Sequence, residues 1–299
     1  MKTLHKLGVL GLVLALSLSL LAGCSNTTSQ SGGAANTPAQ SAPQASDDAN
    51  TPDDSTGTPD DSADAAGDFT TVEAGKLIMS TNAAFPPYEM VKDDGSFEGI
   101  DVEIAGKIAE KLGLELVILD MDFTAAVNAP TQGKADMCMA GLTVNEERQK
   151  NLDFTDTYAN GVQVVIVTED SPIATIDDLE GKLIGTQEGT TGYNYCSASP
   201  EDGGYGEENV IAYTNGATAV QALLSGKVDC VVIDSMPAEE YVKANPGLKI
   251  LDTEFTNEDY AIAVKKGNTA LLNAINTALN ELIEDGTVQS IVDSYIKAD

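Results

Sequence analysis

The chain has 299 residues, 47 of them acidic against 16 basic, and a formal net charge of −31. A nucleic-acid binder needs a basic footprint to displace counterions from phosphates, and a protein held on anionic lipid by charge needs the same sign, so both classes are excluded. The only histidine is His5 and the only arginine is Arg148.

Residues 1–24 divide in three: a positive start at Lys2 and Lys6, an apolar run from Leu7 to Leu21, and Leu21-Ala22-Gly23-Cys24. The run has the length of a secretory h-region and is short for a membrane span. Small residues before a cysteine resemble the bacterial lipobox. The resemblance implies a signal peptide over 1–23, cleavage before Cys24 and a diacylglyceryl group on its sulfur. The alternative is an ordinary signal peptide, or a short anchor helix with a chance cysteine. Losing Lys2 and Lys6 takes the charge from −31 to −33, and His5 leaves with them. A chain without imidazole has no Ser-His-Asp or Cys-His catalysis, no histidine metal site and no histidine general base.

The segment 24–71 reads as the lipidated cysteine and a tether. From Ser25 to about Thr71 it is dominated by Ser, Thr, Ala, Gly, Pro, Asn, Gln and Asp, with no Lys, Arg, Ile or Leu. Such a composition buries too little apolar surface to offset ordering entropy. The pairs Asp47-Asp48, Asp53-Asp54 and Asp60-Asp61, with Asp64 and Asp68, repel and extend it. Its r.m.s. reach is roughly 35–40 Å.

Beyond it, short apolar runs alternate with helical periodicity. Leu77–Ser80 reads as a strand. A helix begins at Asp101, places Ile104, Ile108 and Leu112 on one face and is capped by Gly113; Leu114–Leu119 is the next strand. The pattern then restarts. Gly75-Lys76-Leu77-Ile78 returns as Gly181-Lys182-Leu183-Ile184, and Gly133-Lys134-Ala135-Asp136 as Gly226-Lys227-Val228-Asp229, at unequal offsets. Two related α/β lobes with parallel sheets follow from this. A β-rich run, Gln163–Thr168, lies between them after Asn160-Gly161, a second crossing is expected near Asp259-Tyr260, and helices over about 269–299 return to the first lobe. Lobe 1 is then 72–160 plus 259–299 and lobe 2 is 161–258, hinged over a cleft; two independent domains in series is the alternative. Cys138 and Cys230 sit in apolar strands and read as buried thiols. With Cys196 the count is odd, so one disulfide is open and its pairing is not determined; no CxxC points to a metal.

Four stretches in order carry a resemblance: Asn82-Ala83-Ala84-Phe85-Pro86-Pro87-Tyr88-Glu89, Gly99-Ile100-Asp101-Val102-Glu103-Ile104-Ala105, Ala140-Gly141-Leu142-Thr143-Val144-Asn145-Glu146-Glu147-Arg148 and Asp153-Phe154-Thr155-Asp156-Thr157-Tyr158, followed by Gly189-Thr190-Thr191 and Asp229 to Asp234. Residues 72–299 resemble the solute-binding proteins that serve ABC importers of polar amino acids. The resemblance implies a two-lobed periplasmic-binding-protein-like (type II) α/β fold, each lobe a mostly parallel sheet, joined by two crossover strands.

It also implies roles. Arg148 matches the arginine that binds the ligand α-carboxylate, for which a guanidinium fork is suited; the alternative is a surface arginine paired with Glu146 or Glu147. Thr143 and the Ala140–Gly141 backbone match positions that complete that site. Thr143-x-x-Glu146 is equally a capping box, and both roles are compatible with a helix start that aims N–H groups at an anion. Asp234, at a strand end, matches the aspartate for the α-ammonium, or is a plain cap. Gly189-Thr190-Thr191 is a strand-to-helix turn that could meet the carboxylate from lobe 2. Phe85 and Phe123 match aromatics lining the ligand side chain, and Asn82 and Gln187 match positions that tune specificity. Relatives binding cationic side chains often have an acid where this chain has Asn82. That departure argues against lysine or arginine without ruling them out, because Glu188, Glu258 and Asp259 could supply acid nearby.

The expected function is therefore capture of a polar amino acid, basic ones included, by hinge closure. Delivery would be to ABC permease subunits and through them an ATPase, from a monomer anchored on the outer face of the cell membrane. No metal or cofactor is expected. The rivals are a sensory binding module, which needs a separate signalling partner because no second apolar span follows, and a dehydratase-like enzyme on the same fold.

Overall fold

The computed structural model describes residues 69–252 and 255–296. The expected signal peptide, Cys24 and all but the last residues of the expected tether lie outside them. The first half supplies β1 (Lys76–Thr81), a small antiparallel sheet of β2 (Ala84–Phe85), β3 (Glu89–Val91) and β4 (Phe97–Glu98), then α1 (Ile100–Lys111), β5 (Glu115–Asp120), α2 (Phe123–Asn128) and β6 (Met137–Cys138). A long strand, β7 (Leu152–Thr168), leads to β8 (Ile184–Gln187), α3 (Thr191–Ser197), β9 (Val210–Tyr213), α4 (Gly216–Leu224), β10 (Cys230–Asp234), α5 (Ser235–Ala244) and β11 (Leu248–Ile250). The chain returns along β12 (Thr256–Lys265) and ends in α6 (Thr269–Glu284) and α7 (Thr287–Tyr295).

The main sheet runs β5-β1-β6-β12-β7-β10-β8-β9, with β11 also on β7. Its two ends are parallel triplets built alike: β1 lies between β5 and β6, and β8 between β9 and β10. The antiparallel pair β7–β12 joins them. Asp153 and Phe154 face Val264 and Ala263, which lie beside β6, whereas Gln163–Ile166 pair with Asp234–Val231 of β10. The protein is thus a two-lobed α/β fold joined by two crossing strands. The apolar run Gln163–Thr168 is only the end of a 17-residue strand. Its beginning alternates only over Leu152–Thr155; from Asp156 to Gly161 the alternation lapses, and pairing with β12 carries the strand through.

In the first lobe Ile100, Ile104 and Ile108 of α1 pack with Met79, Met137, Leu271, Ile275, Leu279 and Ile291, so the last helices do return to this core. α1 starts at Ile100, one residue before Asp101, because Gly99 makes the turn: at φ 130° it lies so close to the Tyr88 carbonyl that a Cβ would sit 2.1 Å from its oxygen. β5 starts at Glu115 rather than Leu114, because the Leu114 N–H returns 2.9 Å to Ala109 O and closes the helix end. The second lobe packs Val164, Ile166, Val220, Leu223 and Val231 on one face of its sheet and Val165, Ile184, Cys196 and Cys230 on the other.

The sequence repeat has a physical basis. In each lobe the glycine turns the chain after a helix with φ near +68° (Gly133 68°, Gly226 67°), and the lysine N–H closes the helix end on Ala129 O or Ala222 O. Asp136 then accepts the N–H groups of Ile78 (2.7 Å) and Val72 (2.6 Å), and Asp229 that of Leu183 (2.8 Å). One aspartate per lobe ties the start of its central strand to the chain entering the next. Asp136 is buried and Asp229 exposed. Asp136→Ala should therefore cost about 2–3 kcal/mol of unfolding free energy and Asp229→Ala less than about 1 kcal/mol, read from denaturant midpoints.

Candidate functional site

A cavity enclosing about 470 Å³ of space between protein atoms, part of it open to solvent, lies between the two triplets at the carboxyl ends of β1, β8 and β10, the position at which parallel α/β sheets bind ligands. Asn82, Phe85, Phe123, Ala140, Gly141, Thr143, Arg148, Gln187, Thr190, Thr191 and Asp234 all line it.

Arg148 opens a single 3₁₀ turn, Arg148–Lys150, whose first N–H is accepted by Asn145 Oδ1 at 2.9 Å. Its side chain turns inward. Nη1 donates to Thr143 O at 2.6 Å, Nη2 donates to Gly189 O of the other lobe at 3.3 Å, and the guanidinium lies 5.4 Å from the Phe123 ring centre. Glu146 and Glu147 are exposed, and Arg148 makes no ion pair among the described residues. Burial lowers its pKa, opposed by Cys138 and Glu258. A buried guanidinium held by two carbonyl oxygens keeps most of its donors for an anion.

Asp234 is both cap and cavity wall. Oδ1 accepts Met236 N–H at the start of α5, and Oδ2 accepts a short hydrogen bond from the Tyr260 hydroxyl. Burial pushes its carboxyl up to about 7, against the pull of these donors.

The donors expected around Arg148 are partly spent. No helix starts at Thr143, so it forms no capping box; its hydroxyl donates to Glu258 Oε2 at 2.9 Å, which also accepts Gln163 Nε2 at 3.1 Å. Gly141 N–H donates to Asp101 Oδ2 at 2.8 Å, leaving its carbonyl for a ligand. Thr190 caps α3, accepting Tyr193 N–H at 3.2 Å and donating to Gln187 O at 2.8 Å. Thr191 is buried on the wall. Asn82 and Gln187 meet each other: Gln187 Nε2 donates to Asn82 Oδ1 at 2.9 Å across the two lobes.

Beneath Gly141, Asp101 is fully buried and also accepts the Tyr158 hydroxyl at 2.8 Å. Glu89 lies near it, buried, and its oxygens make no hydrogen bond among the described residues. Burial first, and the Asp101 charge second, hold Glu89 well above the usual carboxylate range, while Asp101 is raised by burial to about 6. Burial thus favours the protonated form of Glu89. Asp101 fixes the peptide from which the loop to Arg148 departs. Gly141 is required there: at φ 51° a Cβ would sit 2.7 Å from Phe85.

Glu258 lines the cavity, but Glu188 and Asp259 do not; Glu188 faces an outer recess and Asp259 accepts Asn160 Nδ2 at 2.6 Å. Sequence reasoning missed Glu89, Gln163, Val232, Ile233 and Tyr260 as lining residues. The period of two along β12 places Tyr260 on the face of Glu258; Glu89 and Gln163 carry no such mark. Cys138, Cys196 and Cys230 are buried free thiols, with burial pushing Cys138 and Cys196 up to about 12.

Residues 77–298 match the family of bacterial extracellular solute-binding proteins, family 3, and the chain belongs to that family. Among its relatives, the L-cystine-binding protein TcyJ of Escherichia coli (strain K12) is 29% identical over 230 residues, 76% of this chain and 85% of the relative. The arginine-binding extracellular protein ArtP of Bacillus subtilis (strain 168) is 32% identical over 219 residues, 72% and 84%. A solved structure of an ancestral arginine-binding protein bound to glutamine superposes with a TM-score of 0.70 at 38% identity, covering 76% of this chain and all of that one. These relatives are amino-acid-binding proteins, and the family consists of solute-binding proteins rather than enzymes. No helix among the described residues is long and apolar enough to cross a membrane.

Asp234 gives the ligand-free cavity a signature. Its folded-state pKa lies above the unfolded value, so its contribution to stability is present below about pH 4 and lost as the pH rises through 7. The Asp234 carboxyl carbon should titrate by NMR with a midpoint near 7, and Tyr260→Phe, which removes a donor favouring the carboxylate, should move it higher; a midpoint near 4 would contradict the geometry.

Proposed function

We propose that this protein captures a polar amino acid in the cavity and delivers it to an ABC permease. The carrying observation is the pairing of opposite requirements in one enclosed space: Arg148, buried with no ion pair among the described residues, and Asp234, buried against a tyrosine. An amino-acid zwitterion supplies what each lacks, its carboxylate to Arg148 and its ammonium to Asp234. The Ala140 and Gly141 backbone and Thr191 complete the polar wall; Phe85 and Phe123 flank the side chain. Thr143 and Thr190 act by holding Glu258 and the α3 turn in place.

Lobe 1 is 72–160 plus 259–299 and lobe 2 is 161–258, and they open and close about β7 and β12. Ligand contacts from both lobes favour the closed form, which is the state a permease distinguishes. The relatives' arginine, cystine and glutamine are the first ligands to try. The protein acts as a monomer, anchored outside the cell membrane through lipid on Cys24 and spaced from it by the segment 24–71. Cys24→Ala should abolish incorporation of labelled palmitate in a bacterial host and release the protein from the membrane fraction.

Removing one member of a buried charge pair costs about 2–5 kcal/mol. Arg148→Ala should therefore weaken the tightest amino acid at least ~30-fold by calorimetry. Affinity near that of the wild type would overturn the assignment.

A further inference from the structure

Two hydrogen bonds already described cross from lobe to lobe, Gln187 to Asn82 and Arg148 to Gly189 O, and each uses a side chain that lines the cavity. A third crosses outside it. The Tyr241 hydroxyl, on α5, donates to Ala84 O, on β2, at 2.9 Å, and neither residue lines the cavity. A main-chain carbonyl only accepts, so the direction of this bond is fixed. Burial pushes the Tyr241 hydroxyl up to about 12, against the pull of the Ala217 N–H, so the donor keeps its proton at neutral pH.

The Tyr241 ring belongs to the second lobe. It is half-buried against the cluster that holds Val220, Leu223 and Ile233. Gly216, the first residue of α4, leaves room for it: a Cβ there would sit 2.4 Å from Ile233 Cδ1 and 3.0 Å from the Tyr241 ring. Ala84 belongs to the first lobe, where β2 pairs it with Met90 of β3. Its neighbour Phe85 packs against the cores of both lobes and lines the cavity, as does Asn82 two residues earlier. A bond made at Ala84 therefore fixes the distance between the second lobe and a segment carrying two cavity walls. It spends no atom that faces the cavity.

We propose that Tyr241 is a latch that holds the lobes closed over whichever amino acid is bound, setting its residence time while taking no part in choosing it. The proposal rests on the reading of the cavity as an amino-acid site. Opening the lobes breaks the bond to Ala84, and the ligand leaves by that opening. The bond is the same for every ligand, so its loss raises every dissociation rate by one factor. A net hydrogen bond corresponds to a factor of roughly 2–12.

The test is stopped-flow dissociation on the full chain, wild type and Tyr241→Phe. The ligands are the two that wild type binds most tightly, by calorimetry, among arginine, glutamine, cystine and the other common amino acids. Tyr241→Phe keeps the ring and removes only the donor. It should speed the release of both ligands at least ~2-fold, by factors that agree within ~2-fold. A smaller acceleration overturns the latch, including in a variant that melts lower without ligand, since Tyr241 would then serve only packing within the second lobe. Factors that differ more between the two ligands also overturn it, because Tyr241 would then be reading the side chain. Wild-type protein that binds no amino acid overturns the cavity reading itself.

Discussion

A buried guanidinium that makes no ion pair among the described residues is the constraint around which this protein is arranged. Removing a charge from water is costly, and two carbonyl dipoles offset only part of that cost. Arg148 is held nonetheless, between Thr143 O of its own lobe and Gly189 O of the other, against the face of Phe123. The arrangement puts the charge in contact with both lobes at once. It couples the electrostatics of the cavity to the distance between the lobes, since separating them removes the Gly189 carbonyl and exposes the cation to water.

The acids around it are sorted by environment. Glu258 is tied to Thr143 and Gln163 and sits near Arg148. Burial first, and the Asp101 charge second, hold Glu89 well above the usual carboxylate range, and Asp101 spends its lone pairs on Gly141 and Tyr158. Asp234 is poised near neutrality with Tyr260 as its donor. Several carboxyl groups and one guanidinium can occupy one small volume because burial keeps protons on some of the acids, and hydrogen-bond donors hold the others.

The residues most legible in the sequence were those that are rare or placed at element ends. Arg148 stands out as the one arginine in the chain, and Asp234 as the charge closing an apolar strand. The Gly-Lys-x-Asp repeat marked the two lobes because it performs the same hydrogen-bonding task in each. What escaped is long-range. Asn82 and Gln187 are 105 residues apart, and nothing local in either shows that they meet. Thr143-x-x-Glu146 has the spacing of a helix cap, yet no helix starts there, and the hydroxyl goes to Glu258, 115 residues away. The polar first half of β7 is strand only because β12 lies beside it.

The first core is completed by Leu271, Ile275, Leu279 and Ile291, whereas the second lobe is built from a single continuous stretch between the two crossing strands. A chain emerging from its N-terminus can therefore finish the second lobe's packing before the first, even though the first lobe's strands appear earlier. Until α6 and α7 arrive, Ile104 and Ile108 lack part of their cover. The order of synthesis and the order of completion are inverted, and the open face of the first lobe is the vulnerable surface of the newborn chain.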